Sequence, residues 1–482
     1  MSDARVTGEG FSNDGIVVRS CEDCTTLSTE SADNEIVDNR VSGPAYGILV
    51  GSSTGDTVVD NTVEDAYVGI GASSATGTSV GANTVRSDRI GAVSFGTDQV
   101  RFTDNRITGG DLGLVLAGAQ SNVLRNNTMA DAEDGFRVVG GYDHDIDRSN
   151  TVGGDPIYYL NGEAGTSVTG EDDPGYVAVV DSTDVTVRDV TLDDVGSLPV
   201  VGSQGVSVTN VSLPTASGGI QLVNTRDSVV RDSRVESSGF LGTGVAIRSC
   251  ETCLSGADSG NNEIKNVEVS DAFYGIVAAD SSDDAVTDSE VTGSSVGVVL
   301  AGTDGTAIRR NDLSDGYYGV LVWNDDPTAA TTTVASIERN TVTDYWYGVG
   351  LDADDGRVAV VENTIVRNDV GVYVPWPFFS SSETDPQYDV HRNHLDNDRY
   401  GVLNWDRSLV VNATGNYWGA ADGPSSRTEA LEDPKTGALA DGSGDAVSRG
   451  DEEGVSNVRF DPFLTAPPSA APAPPAENGS SA

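Results

Sequence analysis

Residues 19–50 read RSCEDCTTLSTESADNEIVDNRVSGPAYGILV, and residues 248–278 read RSCETCLSGADSGNNEIKNVEVSDAFYGIVA. The Cys-x-x-Cys pairs, Cys21/Cys24 and Cys250/Cys253, stand 229 residues apart, and the two Tyr-Gly-Ile triplets stand 228 apart. DARVTGEGF at 3–11 likewise answers DSRVESSGF at 232–240. Self-similarity on this scale is the mark of a repeat architecture. Inside the first copy the beat is shorter. Asparagines fall at 39, 61, 83, 105 and 127, and glycines at 47, 69, 91, 113 and 135, each 22 residues after the last. Gly275, Gly297 and Gly319 keep the same step in the second copy, and Gly348, Gly371 and Gly401 follow with insertions.

Apolar positions in each unit alternate with period two and favour Val and Ile, so the units are short strands separated by turns. One unit is too small to enclose a core. Stacked units pair each strand with its counterpart in the next coil and build a continuous interior. The recurring Asn then forms a ladder of side-chain amides. The recurring Gly fits a turn of positive φ or a close backbone approach. LxxLxL spacing is missing, which excludes a leucine-rich horseshoe. The fold class is all-β, a right-handed parallel β-helix of about 16 coils at roughly 4.8 Å each. One such solenoid is expected over 1–465, with duplicated halves at about 1–229 and 230–415 and a closing element at about 412–465. The Pro/Ala-rich residues 466–482 read as a disordered tail. A short helix is expected near 427–432. Two excursions, after Gly135 and after Gly371, are expected to leave the coil on one face.

The 482 residues carry 75 acids against 28 bases, a net charge of −47. Of the acids 21 are Glu, leaving 54 Asp, and only Lys265 and Lys435 are lysines. A dispersed, Asp-rich and Lys-poor surface suits high salt, where its self-repulsion is screened. No basic stripe offers itself to nucleic acid. No apolar run reaches the roughly 18 residues of a membrane span. Residue 3 already matches a repeat interior, so a preceding segment is expected, and with it a secreted or cell-surface location.

The N-x-V and G-[IV]-x-[VL] coils over roughly 3–415 resemble the NosD-like family of right-handed β-helix proteins, within the carbohydrate-binding and sugar-hydrolase group. PIYYL (156–160) with GYVAVVDSTDVTVRDVTL (175–192) is similar to archaeal members, and the acidic composition to members from salt-loving archaea. GNYWGAADGPS (415–425), GSGDAV (442–447) and FDPFL (460–464) resemble the closing element of cell-surface β-helix proteins. The resemblance implies one of several roles: carbohydrate binding, polysaccharide cleavage, copper-related maturation, or a structural and adhesive rod. The Gly-His-Gly of polygalacturonases and the Asp-Pro-His of alginate epimerases are missing, and no catalytic set stands out.

Several groups are candidate sites. A Cys-x-x-Cys serves as a zinc half-site, a redox dithiol or a disulfide. The two pairs lie about ten coils apart, near 50 Å at the strand spacing, so they cannot share one metal. A disulfide or thiol pair fastening a loop is the preferred reading. Asp143, Asp145 and Asp147 resemble the start of a calcium loop but lack its glycine and late bidentate acid. No cofactor is firmly implied, and calcium is the metal this pattern admits. His391 and His394 form H-x-x-H, yet i and i+3 on a strand face opposite sides, so two polar surface histidines are expected. Copper needs soft or imidazole ligands, and three histidines with two methionines are few.

Aromatics make the last group. The residue before each repeating Gly is usually bulky (Tyr46, Val68, Ile90, Leu112, Tyr274, Val296, Tyr318, Tyr347, Tyr400) and is expected to stack inward. The residue before that points outward as Phe273, Tyr317 and Trp346. Trp323 and Trp405 lie four places after their glycines, and Trp376, Phe378 and Phe379 on the nearby insertion. Exposed rings in register can stack on sugars, so Phe273, Tyr317, Trp323, Trp346, Trp376 and Trp405 are the expected polysaccharide contacts. The alternative is that they pack as a satellite core. Oligomeric state is left open.

Overall fold

The computed structural model describes residues 1–2, 4–20, 31–237, 242–250, 258–323, 334–353, 356–376, 386–427 and 429–475. It forms two compact units, Met1–Ala216 with Cys250–Ala257, and Ser217–Ser249 with Asp258–Ala482. Each unit is a parallel β-solenoid, and together they make about 17 turns. Among the described residues the only helical turn is the 3-10 segment Gly170–Asp172. Among the described residues of 427–432, where a short helix is expected, no helix forms. Glu432 instead bridges Leu439 and Val455 as part of the closing element.

In the first unit the 22-residue beat becomes registration. Glu35–Val37, Thr57–Val59, Ser79–Gly81, Arg101–Thr103, Val123–Arg125 and Asp145–Ile146 pair in that order as one six-stranded parallel sheet. Their central residues Ile36, Val58, Val80, Phe102 and Leu124 all face the core, none more than 2% exposed. The segment expected to leave the coil after Gly135 largely stays in it. Asp145 and Ile146 pair with Val123 and Leu124, and Thr151 and Val152 with Thr128 and Met129. Its alternation of side chains matches the preceding coil, and backbone pairing follows the alternation.

The asparagine ladder forms as expected and extends further. Nδ2 of Asn39, Asn61, Asn83 and Asn105 donates to Oδ1 of Asn61, Asn83, Asn105 and Asn127 at 2.9, 3.1, 2.9 and 2.8 Å. Asn127 passes the chain on to Asn150 at 2.8 Å. A second ladder joins Asn311, Asn340, Asn363, Asn393 and Asn416, with 3.0 Å at every step. Each Oδ1 also accepts the previous Asn's backbone N–H, so one side chain satisfies two buried donors of the neighbouring coil.

Of the two roles offered for the recurring glycine, the structure uses close approach. A Cβ on Gly69 would lie 2.4 Å from the carbonyl oxygen of Gly91 and 2.3 Å from Cγ1 of Val85. The left-handed turn positions fall largely to aspartate. Among the described residues, 19 of the 34 non-glycine residues with positive φ are Asp, including Asp38, Asp60 and Asp104 just before ladder asparagines. Asp tolerates this region because its short side chain bonds locally. Part of the acidity therefore serves the turns.

Candidate functional site

In the second unit, the outer surface of one sheet carries the aromatics. Tyr274, Val296, Tyr318, Tyr347, Val370 and Tyr400 are successive register partners. Five steps at roughly 4.8 Å make a column of about 24 Å. The tyrosines of this column do not stack inward as expected: Tyr274, Tyr318, Tyr347 and Tyr400 are half-exposed, and in the first unit Tyr46 is 40% exposed. The reason lies at the glycine. A Cβ on Gly47 would meet buried Val63, and Ile48 is fully buried, so two consecutive residues face the core. Alternation breaks there, and the tyrosines before the glycine turn outward, while Val68, Val296 and Val370 at equivalent positions are buried.

The outward tyrosines build a platform. Tyr318 stacks on Tyr347 at 5.1 Å and 23°, and Tyr347 on Tyr373 at 4.2 Å and 21°. Gly350 makes room for it, since a Cβ there would lie 2.8 Å from the Tyr318 ring. Tyr317 and Trp346 stand on top, 50% and 51% exposed, with centroids 6.5 Å apart and planes 25° apart. Phe273, half-buried, packs edge-on against Tyr274 at 4.7 Å. Burial, and then the neighbouring phenols, push Tyr373 up to about 12 and raise Tyr318 as well. The platform is thus neutral at ordinary pH, offering flat apolar faces with hydroxyl donors at their rims.

Three more exposed tryptophans lie at or just past the ends of strands in this sheet, while Trp418 is fully buried. Trp323 ends the strand Asp312–Trp323 and is register partner to Asp352. Trp376 and Trp405, about half exposed, come together on one cleft of about 370 Å³ with Tyr400. Arg407, Arg427 and Arg449 also line it, and the sequence reading missed all three. Arg427 and Arg449 fall in the closing element and Arg407 just before it, where no periodicity fixes the path.

A second cleft of about 430 Å³ shares Arg427 and holds Asp396, Asp398 and Asp445. Burial pushes the Asp445 carboxyl up to about 7, helped by Asp396 and Asp398, against the bonds it accepts from Asn397. Those bonds come from the Asn397 backbone N–H and Nδ2, each at 2.9 Å, so Asp445 ends the side ladder Asn368–Asn397.

The acids and histidines expected at metal sites are dispersed. Asp145 and Asp147 both pair with Arg125, at 2.6 and 3.1 Å, while Asp143 approaches Asn161 at 3.4 Å. His144 between them is buried; its Nδ1 lies 3.3 Å from the Asn122 N–H and its Nε2 3.1 Å from the Gly141 carbonyl. Burial pushes His144 down to about 4. The chain turns at Arg392 (φ 54°) between His391 and His394, so they do not share one straight strand. His394 is not a surface histidine as expected: it is 8% exposed and packs edge-on against Tyr417 at 5.2 Å. His391 is held by the Thr414 carbonyl at 2.6 Å and Asn412 Nδ2 at 3.2 Å. Among the described residues no three His, Cys, Asp or Glu side chains group closely enough to hold a metal ion. Cys250 is disulfide-bonded. Cys21, Cys24, Cys253, Phe378 and Phe379 lie outside the described residues, as do 476–482 of the expected tail.

The family model described as periplasmic copper-binding protein (NosD) matches residues 3–154 and 240–423. The model described as right-handed beta helix region matches 91–313. No curated protein matches the sequence. Among solved structures, the chain is similar to the A-module of the Azotobacter vinelandii mannuronan C-5 epimerase AlgE6. That likeness has 15% identity, 79% of this chain and 88% of the other covered, and a TM-score of 0.29. It is also similar to the catalytic domain of a GH87 alpha-1,3-glucanase, at 12% identity with 77% and 60% covered and a TM-score of 0.25. A tailspike of the Pseudomonas phage phi297 matches at 10% identity, with 64% and 48% covered and a TM-score of 0.22. These likenesses are too distant to bear on function. The copper in the family description does not fit the described donors: the imidazole nitrogens of His144 and His391 are already engaged, His394 is buried, Met129 is fully buried, and Cys250 is oxidised.

Proposed function

The chain belongs to the NosD family, and from that premise we propose that it is a secreted or cell-surface protein of a high-salt environment that binds polysaccharide along the aromatic face of its second unit. The observation that carries the reading is the row from Phe273 and Tyr274 through Tyr317, Trp346 and Tyr373 to Tyr400 and Trp405. Rings that recur along this face, absent only at the coil of Val296, cost solvation unless something covers them. A glycosidically linked pyranose advances a chain by about as much as one coil advances the solenoid, so successive sugars can meet successive rings. Sugar faces stack on Tyr and Trp, and their hydroxyls take the phenol and carboxamide groups around them. The dispersed Asp-rich surface supports the high-salt setting, and the family description supports export.

The test is binding of soluble polysaccharides by the full chain in molar KCl, comparing wild type with the double variant Tyr317→Ala, Trp346→Ala. Loss of two stacking faces should weaken binding at least tenfold, at about 1 kcal/mol per ring. Unchanged affinity would remove the row from the site.

A further inference from the structure

We propose that the cleft between Trp376 and Trp405 is a subsite for a carboxylated sugar, a uronate unit of an acidic polysaccharide; this rests on the reading that the row binds glycan. The chain carries 75 acids against 28 bases, so an average patch of its surface holds nearly three acids for each base. The residues lining this cleft reverse the ratio: three arginines, Arg407, Arg427 and Arg449, and no Asp or Glu.

Two of the guanidiniums are tied from outside the cleft, Arg449 to Glu429 at 3.2 Å and Arg407 to Asp451 at a long 3.8 Å. Among the described residues no carboxylate pairs with Arg427, which also borders the neighbouring cleft of Asp396, Asp398 and Asp445; its guanidinium lies over the Tyr400 ring, 5.5 Å from the centroid. A cation held on an aromatic face keeps its outward N–H groups free, and the planar fork of Arg matches a carboxylate with two parallel bonds. The exposed faces of Trp376 and Trp405 supply what the rest of the sugar ring needs. The volume, about 370 Å³, falls within the range of small-ligand sites. Uronate recognition is also consistent with the global charge. At molar salt the screening length is about 3 Å, so distant acids no longer repel a polyanion while direct Arg–carboxylate contacts persist.

The experiment titrates the full chain, in molar KCl, with oligogalacturonate, oligomannuronate and their carboxyl-reduced counterparts. Wild type should prefer at least one uronate over its reduced form by about tenfold, the worth of one charge-assisted contact. Arg427→Gln with Arg449→Gln should bring that ratio close to one. If melting shows the double variant unfolded, Arg427→Lys, which keeps charge but loses the fork, should still cut the ratio. Equal binding of uronate and reduced forms by wild type overturns the uronate assignment and leaves the glycan reading standing. Binding of neither overturns both. Dextran sulfate binding as tightly as the uronates would overturn the choice of carboxylate over sulfate.

Discussion

Asp445 is where a single side chain couples fold and pH. Its carboxyl is pushed up to about 7 in the folded chain from an ordinary 3.8, by burial first and by Asp396 and Asp398 after it. Between those values the folded state holds a proton that the unfolded chain releases, so this group's contribution to stability falls as pH rises from about 4 to 7 and levels off above. The whole effect is on the order of a few kcal/mol. Asp445→Asn keeps an acceptor for the Asn397 N–H and cannot titrate. Denaturant melts from pH 4 to 8 at fixed salt should show the variant gaining on wild type across that interval, and parallel curves would reject the assignment. The aspartates at positive φ are a different use of the same residue: they set turn geometry, and their charge is incidental to it.

At the scale of elements, the ladder does what a capping box does for a helix, satisfying backbone donors that strand pairing leaves over. Asn363 Oδ1 accepts from the Asn340 N–H at 2.8 Å and Asn340 Nδ2 at 3.0 Å, and its own Nδ2 donates to the Ile337 carbonyl at 2.8 Å. Asn363→Ala leaves all three buried without those partners, and should cost about 3 kcal/mol or more. Asn412→Ala, at a half-exposed side chain bonded among the described residues to Asp389, His391 and Thr414, should cost about 1 kcal/mol or less. Equal losses in chemical denaturation would show that the ladder adds nothing beyond an ordinary polar contact. The aromatic row is the other product of this scale. Gly350 yields space for the Tyr318 ring, and Gly297, Gly316 and Gly319 yield it for buried Tyr345, so glycines decide which rings go in and which stay out.

Across the whole molecule, a net charge of −47 acts through repulsion that salt screens. The melting temperature should rise steadily from about 0.1 M KCl, where the screening length is about 10 Å, into the molar range. A melting temperature independent of salt would argue that the acids serve turns alone. The sequence by itself determined the solenoid, because a 22-residue beat with period-two alternation admits few other ways to bury Val and Ile, and it determined the ladder, because one amide repeated in register has one neighbour to bond. It also picked out the rings that stand exposed, Tyr317, Trp346, Trp376 and Trp405. Only the tertiary structure decided that the tyrosines before the glycines face out, since strict alternation places them inside and a local break at Gly47 and its equivalents reverses them. It alone gathered Arg407, Arg427 and Arg449 around two tryptophans. Arg427 and Arg449 come from the aperiodic closing segment and Arg407 from just before it, and where no repeat fixes the path, proximity is set by how the chain folds back over the last coils.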